Sequence, residues 1–173
     1  MIKGYTFRVK DVNLNRSNAI KILYYQKKLN EKTSIIDITY TAIKACCELV
    51  NAVKGAILLL DSTGKYMEVK GIYNLSVNAK NFKWEVRKYP QYYFSDYLFI
   101  ENALNDATTD KEYIQLFNIN SGLIFPLKLD NEAVGSIQAY NKNLFDLADV
   151  AILRLFSSYI INCFIKNRPL GLE

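Results

Sequence analysis

Reactive side chains are scarce in this 173-residue sequence, which contains three cysteines and no histidine. The missing histidine excludes histidine-ligated metals and haem, Ser–His or Cys–His catalysis and a phospho-accepting histidine. Cys46, Cys47 and Cys163 show no CxxC spacing and fall at apolar positions of predicted helices, where a thiol behaves as a small buried hydrophobe. We therefore predict a reducing compartment, no catalytic residue, no metal, no cofactor and no enzymatic activity.

Two carboxylates four residues apart, Asp106 and Asp110, flank Thr108 and Thr109. Carboxylates and hydroxyls on a loop can contact a small polar ligand or a hard cation. They can equally form a turn in which the Asp and Thr side chains cap their own backbone. Two carboxylates do not make a calcium loop, and the EF-hand spacing is absent, so the ligand contact and the self-capping turn remain the alternatives.

Aromatic residues are unusually dense between Phe82 and Phe99, where eight of them lie. A pocket lined by aromatic side chains and a few polar groups is the expected form of a small-molecule site. The alternative is that these rings simply pack on a sheet. The residues predicted to line the pocket are Phe82, Trp84, Tyr93, Tyr97, Asp106, Asp110, Tyr113 and Phe125.

Lys142 and Asp149 are spaced to pair at the start of the last predicted helix. Asp146 is a good N-cap for that helix, and Asp149 lies in the first turn, where its charge suits the helix dipole. An exposed pair of this kind would stabilise the fold by about 0–1 kcal/mol. We expect it to be structural.

The elements that must position these residues follow from capping, turn and periodicity signals. Ser34 and Asp37 have the form of a capping box, which predicts a helix from Ile35 with a wide apolar surface. Turn residues at Asp61–Gly64 and at Asp130-Asn131 each separate two apolar runs and predict hairpins. The remaining predicted elements are a helix over Ser17–Asn30, a strand over Phe82–Val86, and a helix from Pro90 to about Asn102.

Three segments of the sequence resemble GAF domains. The run ILLLDSTGKYMEVKG looks like the first hairpin of that family, and Asp106, Ala107, Asp110 and Tyr113 match its central segment. The matching residues of the third segment are Pro126-Leu127, Val134-Gly135, Asn141-Lys142, Phe145 and Asp149. Val150 stands where cyclic-nucleotide-responsive members often have Glu, so the resemblance does not extend to cyclic-nucleotide sensing.

The resemblance spans roughly residues 34–167 and implies an α/β (α+β) fold. A central antiparallel sheet would carry the N- and C-terminal helices on one face and a short helical lid on the other. Residues 1–33 would form an N-terminal segment with a linker or signalling helix. Residues 168–173 would form a tail, whose last two residues resemble a cloning remnant.

The function implied by this resemblance is a non-enzymatic sensory or regulatory module of a signal-transduction protein. An unknown small molecule would bind under the aromatic lid, and terminal helices would pass the change to an effector outside this chain. Asn141, Lys142, Phe145 and Asp149 would form a structural lock between the last strand and the last helix. The alternative is a ligand-free module that homodimerises through Ile43, Val50, Leu153, Phe156, Ile160 and Phe164.

Composition adds little to these alternatives. Residues 1–88 carry 16 Lys/Arg and 7 Asp/Glu, whereas residues 89–173 carry 6 and 10. No nucleic-acid motif with defined spacing accompanies the basic half, so we read it as a solvated surface and predict no nucleic-acid partner. No uncharged apolar run approaches the roughly 20 residues of a membrane span, so we also predict no membrane partner and a cytoplasmic location.

Overall fold

The chain folds into six strands and four α-helices over residues 16–90 and 95–167, which the computed structural model describes. The helices are α1 (Arg16–Asn30), α2 (Ile35–Val50), α3 (Lys111–Leu116) and α4 (Leu147–Lys166). The strands are β1 (Lys54–Leu60), β2 (Tyr66–Tyr73), β3 (Lys83–Glu85), β4 (Leu98–Ile100), β5 (Gly122–Leu129) and β6 (Glu132–Tyr140). A 3-10 helix covers Val77–Asn81.

The six strands form one antiparallel sheet in the order β3-β2-β1-β6-β5-β4. Both predicted hairpins are confirmed. The β5–β6 turn places Asp130 and Asn131 at φ angles of 50° and 66°, the left-handed region that Asp and Asn tolerate better than most residues. Strand β6 is therefore central, with β1 on one side and β5 on the other.

Helices α1, α2 and α4 cover one face of the sheet, which we call the helix face. The capping signals at Ser34 and Asp146 are confirmed: the Ser34 side chain accepts from the Asp37 N–H, and Asp146 and Asp149 form a capping box. Helix α2 lies very close to the sheet at Gly71, where an added Cβ would stand 2.7 Å from the Thr39 carbonyl oxygen. Glycine allows this close approach because it has no side chain.

The N-terminal helix α1 packs into the same core. Its residues Ile22, Tyr25 and Leu29 are buried in the core between the helices and the sheet, which we call the helix-side core. The Tyr25 hydroxyl donates to Glu48 Oε2 of α2 at 2.5 Å. Desolvation, and then this hydrogen bond to a carboxylate, raise the pKa of Tyr25. Helix α1 is therefore held in the helical layer and is not a detached linker.

A second core, the lid-side core, lies on the opposite face of the sheet, which we call the lid face. The 3-10 helix, α3 and the two loops that join α3 to β4 and β5 cover this face and form the lid. This arrangement confirms the predicted fold, with helices on one face and a short helical lid on the other. Lys54 of β1 fixes the lid by donating to the Phe117 carbonyl at the end of α3, 2.8 Å away.

The prediction of a helix from Pro90 to about Asn102 is wrong over residues 95–102. Leu98–Ile100 forms the edge strand β4, paired with β5 in the register Leu98↔Ile124 and Ile100↔Gly122. Leu98 and Ile100 face the lid-side core whereas Phe99 packs against the helix-side core, which is the two-residue period of a strand. Residues 91–94 of this prediction lie outside the described residues.

The six side chains predicted to form a dimer surface are buried inside the chain. Ile43, Val50, Leu153, Phe156, Ile160 and Phe164 are between 0% and 9% exposed and belong to the helix-side core. A second copy cannot reach them without opening that core, so the residue assignment is wrong. The apolar residues that remain exposed on the helices lie elsewhere, among them Ile20, Leu23 and Tyr24 of α1.

Within the described residues, one helix is long and apolar enough to cross a membrane. This is α4, and half of its apolar window is buried inside the fold. Its fully buried residues Leu153, Phe156 and Ile160 pack against the sheet and the neighbouring helices. Its apolar character therefore fits a helix that packs against β5, α2 and α1.

Candidate functional site

A small cavity of about 20 Å³ lies between the sheet and the lid. This volume is enough for about one water molecule. Strands β3, β4, β5 and β6, helix α3 and the loop before α3 all contribute to its wall. The lining residues are Trp84, Ile100, Ala103, Thr109, Asp110, Tyr113, Ile114, Ile119, Gly122, Ile124, Gln138 and Tyr140.

Three of the eight predicted pocket residues line this cavity: Trp84, Asp110 and Tyr113. Asp110 joins the edge strand β3 to the lid helix α3, because its Oδ2 accepts from Trp84 Nε1 at 3.0 Å and its Oδ1 accepts from the Tyr113 N–H at 3.2 Å. It is thus both the N-cap of α3 and the partner of the indole. Phe82 does not line the cavity but packs against Tyr113, with the two ring centroids 5.2 Å apart.

Sequence reasoning missed the polar floor of the cavity. Ser136, Gln138 and Tyr140 alternate along the central strand β6, and all three are buried. The Tyr140 hydroxyl donates to Gln138 Oε1, and Gln138 Nε2 donates to Ser136 Oγ at 3.4 Å. Polar side chains at every second position of a buried strand were the available sequence signal.

The hydroxyl of Tyr113 lies in the wall of this cavity without a hydrogen-bond partner among the described residues. Tyr113 is only 3% exposed, so its hydroxyl is shielded from solvent. Desolvation raises the pKa of Tyr113 to about 12; the Tyr140 hydroxyl, which lies within interaction range of the Tyr113 hydroxyl but makes no hydrogen bond of normal geometry with it, lowers the pKa, and the Asp110 carboxylate raises it further. The hydroxyl stays neutral at physiological pH and can donate or accept.

The Asp106 loop is a self-capped turn. Asp106 Oδ1 accepts from the Thr108 N–H at 2.8 Å and from Thr108 Oγ1 at 2.5 Å, and Thr109 Oγ1 donates to the Ala103 carbonyl at 2.7 Å. The Lys111 ammonium donates to the carbonyls of Ala103 and Asp106 and to Thr109 Oγ1. Asp106 itself does not line the cavity, and no cluster of three metal-binding side chains occurs within residues 16–90 and 95–167.

Two of the predicted pocket residues lie on the wrong face of the sheet. Phe125 and Tyr97 pack in the helix-side core, while Ile124, one residue earlier on β5, lines the cavity. A shift of one position along a strand moves a side chain to the opposite face. Tyr93 lies outside the described residues.

The predicted pair at the start of α4 is formed. Lys142 Nζ lies 2.7 Å from Asp149 Oδ1 and 2.6 Å from Oδ2, and Asp149 is almost completely buried. The Asp146 N–H also donates to Asp149 Oδ2, at 3.0 Å. Phe145 is buried in the helix-side core, and the Lys142 ammonium lies 5.8 Å from the centre of its ring.

Asn141, the residue before this pair, joins the same corner to the lid. Its backbone adopts a φ of 61°, its Oδ1 accepts from the Asn120 N–H and its Nδ2 donates to the Asn118 carbonyl, both at 2.7 Å. Asn118 and Asn120 follow the end of α3. Consecutive residues therefore contact the lid and the first turn of α4.

All three cysteines are buried on the helix face, on the other side of the sheet from the cavity. Burial raises the pKa of the Cys46 thiol well above its usual value, and it raises the pKa of Cys47 and Cys163 as well. The prediction that they act as buried hydrophobes is confirmed.

No protein-family model matches this sequence, and no curated protein matches it significantly. Solved structures do match its fold. The GAF domain of an Acinetobacter phosphoenolpyruvate-protein phosphotransferase is 13% identical, with a TM-score of 0.73 over 92% of this chain and 99% of that chain. Free methionine-R-sulfoxide reductase from Neisseria meningitidis, solved with its substrate, is 11% identical, with a TM-score of 0.69 over 90% and 95% of the two chains.

A domain of a putative two-component sensor histidine kinase from Sinorhizobium meliloti is 19% identical, with a TM-score of 0.64 over 79% of this chain and 94% of that chain. At these identities the likeness concerns the fold. It covers nearly the whole of the matched domains, and it agrees with the sheet order, the helical layer and the lid described above. The chain therefore has the fold of a GAF domain.

Proposed function

We propose that this chain is a non-enzymatic sensory or regulatory domain that binds a small molecule beneath its lid. The observation that carries the proposal is the buried Tyr113 hydroxyl, which lines the lid cavity without a partner. An unsatisfied buried polar group destabilises a fold, so its presence needs a reason. A ligand that supplies the missing hydrogen bond is such a reason.

The same fold in a sensor histidine kinase supports the sensory role, and the same fold in a sulfoxide reductase raises the question of catalysis. The cysteines argue against thiol chemistry at this cavity, because all three lie in the opposite core. Their raised pKa values disfavour the reactive thiolate. We therefore retain the non-enzymatic assignment.

The contacts of Asn141 and Lys142 offer a route by which ligand binding under the lid would affect helix α4. A ligand larger than the present cavity requires the lid to move, and Asn141 is bonded to the end of that lid at Asn118 and Asn120. The adjacent Lys142 is bonded to Asp149 in the first turn of α4. Movement of the lid would thus bias the position of α4, and an effector elsewhere in the cytoplasm would respond to it.

The test uses Trp84, the single tryptophan of the chain, which lies in the cavity wall. We expect native mass spectrometry of the purified protein, or a thermal-shift screen of metabolites, to identify a bound molecule. That molecule should change the Trp84 fluorescence in a saturable way. A protein that carries no ligand and shows no stabilised melting transition across the panel would contradict the proposal.

The second candidate is a ligand-free homodimerisation module, favoured by the exposed side of α1. Ile20, Leu23 and Tyr24 are 59%, 65% and 55% exposed and share one side of the helix through their i, i+3, i+4 spacing. Adjacent exposed apolar residues of this kind often mark an interaction site. Two copies related by a twofold axis would bury this surface against itself.

A further inference from the structure

We propose that the lid cavity recognises the ammonium head of a small amine that has a short apolar body. This inference rests on the proposed ligand-binding function and specifies the chemical class of the ligand. It follows from the charges, the unpaired polar groups and the ring geometry around the cavity.

The charge of the cavity wall is negative. Asp110 lines the cavity, and no lysine or arginine is among the described residues that do so. Two lysines of the surrounding elements have other partners: Lys111 donates to carbonyls of its own loop, and Lys54 donates to the Phe117 carbonyl. An anionic head group would therefore be buried beside a carboxylate without a counter-charge, which is strongly unfavourable.

The polar groups of the wall offer acceptors to an N–H donor. Each Asp110 oxygen accepts one bond from the protein, from Trp84 or from the Tyr113 N–H, and a carboxylate oxygen can accept a second. The Tyr113 hydroxyl has no hydrogen bond of normal geometry, although the Tyr140 hydroxyl lies near it. A protonated amine carries several N–H donors and one positive charge, so it can satisfy Tyr113 and pair with Asp110 at once.

The rings and aliphatic side chains provide the rest of the site. Trp84 and Tyr113 meet at 83° with centroids 4.9 Å apart, and Tyr113 and Tyr140 meet at 60° and 6.3 Å. Aromatic rings set at steep angles around a carboxylate form a typical environment for an organic cation. The existing volume matches an ammonium-sized group, and the apolar body would displace the lid along Ile100, Ile114 and Ile124.

The experiment compares three probes of equal chain length: butylammonium, 1-butanol and butyrate. Each is titrated into the wild-type protein at constant ionic strength, and Trp84 fluorescence is followed with excitation above the tyrosine band. We expect butylammonium to bind at least about tenfold more tightly than 1-butanol, as a charge-assisted hydrogen bond requires. We expect no saturable effect of butyrate.

Two variants locate the effect. Asp110→Asn keeps an oxygen for the N-cap of α3 but removes the charge, and we expect it to reduce the preference for butylammonium to about threefold or less. The matched control is Asp96→Asn, the same change at an exposed carboxylate across the sheet, which should leave the preference unchanged. If Asp110→Asn does not fold, the comparison of the three probes on the wild type decides the question.

The outcomes separate this inference from the proposed function. Equal binding of 1-butanol and butylammonium, saturable binding of butyrate, or no saturable binding of butylammonium would each overturn the amine assignment. A ligand of another class found in the metabolite screen would then leave the proposed function standing. Failure of both the probe series and the screen would overturn both.

Discussion

The Tyr113 hydroxyl and the Tyr140 hydroxyl are a matched pair of buried phenols in one cavity wall. Tyr140 donates to Gln138, whereas Tyr113 has no partner among the described residues. A satisfied hydroxyl contributes to stability, but an unsatisfied one destabilises the fold by about 1–3 kcal/mol. The two residues should therefore respond in opposite ways to the same substitution.

We expect Tyr113→Phe to raise the free energy of unfolding by about 1 kcal/mol at pH 7 without ligand, because it removes the unsatisfied group. Tyr140→Phe should lower it by a similar amount, because it leaves Gln138 without its donor. Urea unfolding at neutral pH measures both. A loss of stability in Tyr113→Phe would show that the hydroxyl is already satisfied and would remove the main support for a ligand at this position.

Stability at alkaline pH gives an independent test of the Tyr113→Phe variant. Burial raises the pKa of Tyr113 to about 12, above the value of about 10 in an unfolded chain. Ionisation of this phenol therefore leaves the stability of the fold unchanged below about pH 10 and lowers it as the pH rises towards 12, because the unfolded chain ionises first. Between these values the wild type should lose up to about 1.4 kcal/mol per pH unit that Tyr113→Phe does not lose.

The carboxylate of Asp149 has two roles, as partner of Lys142 and as acceptor for the Asp146 N–H. Because Asp149 is only 4% exposed, its removal leaves the Lys142 ammonium half-buried without a counter-charge. We expect Asp149→Ala to lower the free energy of unfolding by about 2–4 kcal/mol. Urea unfolding followed by far-UV circular dichroism measures this loss.

The matched control is Asp146→Ala, which removes the N-cap oxygen and leaves the Lys142–Asp149 pair in place. Its expected loss is about 1 kcal/mol, the usual effect of a missing N-cap. Equal losses in the two variants would show that the ion pair adds nothing beyond capping. Such a result would also remove the Lys142–Asp149 pair from the predicted lock at this corner.

At the scale of elements, the sequence predicted what short-range chemistry determines. Asp130-Asn131 specified the β5–β6 hairpin, and Ser34 and Asp146 specified two helix starts. The prediction from sequence failed at Leu98–Ile100. A three-residue edge strand is determined by its partner β5 and leaves almost no periodic signal in the sequence. Dense aromatic residues on either side made a helical spacing fit equally well.

The face assignments on β5 failed for a related reason. Gly122 to Leu127 are all buried, because one face of the strand is covered by helices and the other by the lid. Without exposed polar residues there is no alternation to show whether Ile124 or Phe125 faces the lid. Strand β6 did carry such a signal in Ser136, Gln138 and Tyr140, and it marks the lid face correctly.

The contact between α2 and β2 is governed by Gly71. A Cβ there would stand 2.7 Å from the carbonyl carbon and oxygen of Thr39, so α2 would have to lift from the sheet. We expect Gly71→Ala to lower the free energy of unfolding by about 1–3 kcal/mol, measured by urea unfolding. Adding Thr39→Ala should not restore the loss, because the closest atoms belong to the Thr39 backbone. A change below about 0.5 kcal/mol would contradict this close contact.

For the whole molecule, the sheet separates two cores of different composition. The helix-side core contains the cysteines and the apolar faces of three helices, and the lid-side core contains the cavity with Asp110, Gln138 and Tyr140 in its wall. The two cores are linked at the Asn141–Lys142 corner, where one residue contacts the lid and the next contacts α4. Because the helix-side core is fully occupied, any partner of this layer must use its outer surface.

Substitution on the two sides of the helical layer tests where a second copy would bind. Leu23 is 65% exposed on α1, whereas Leu153 is completely buried on α4. We expect the wild type to be dimeric by light scattering, and Leu23→Glu to be a folded monomer with an unchanged melting temperature, because a carboxylate at an exposed position disturbs only the interface. Leu153→Glu should not fold, because it places an unpaired charge in the core. A monomeric wild type, or a Leu23→Glu variant that remains dimeric, would exclude α1 as the dimer surface.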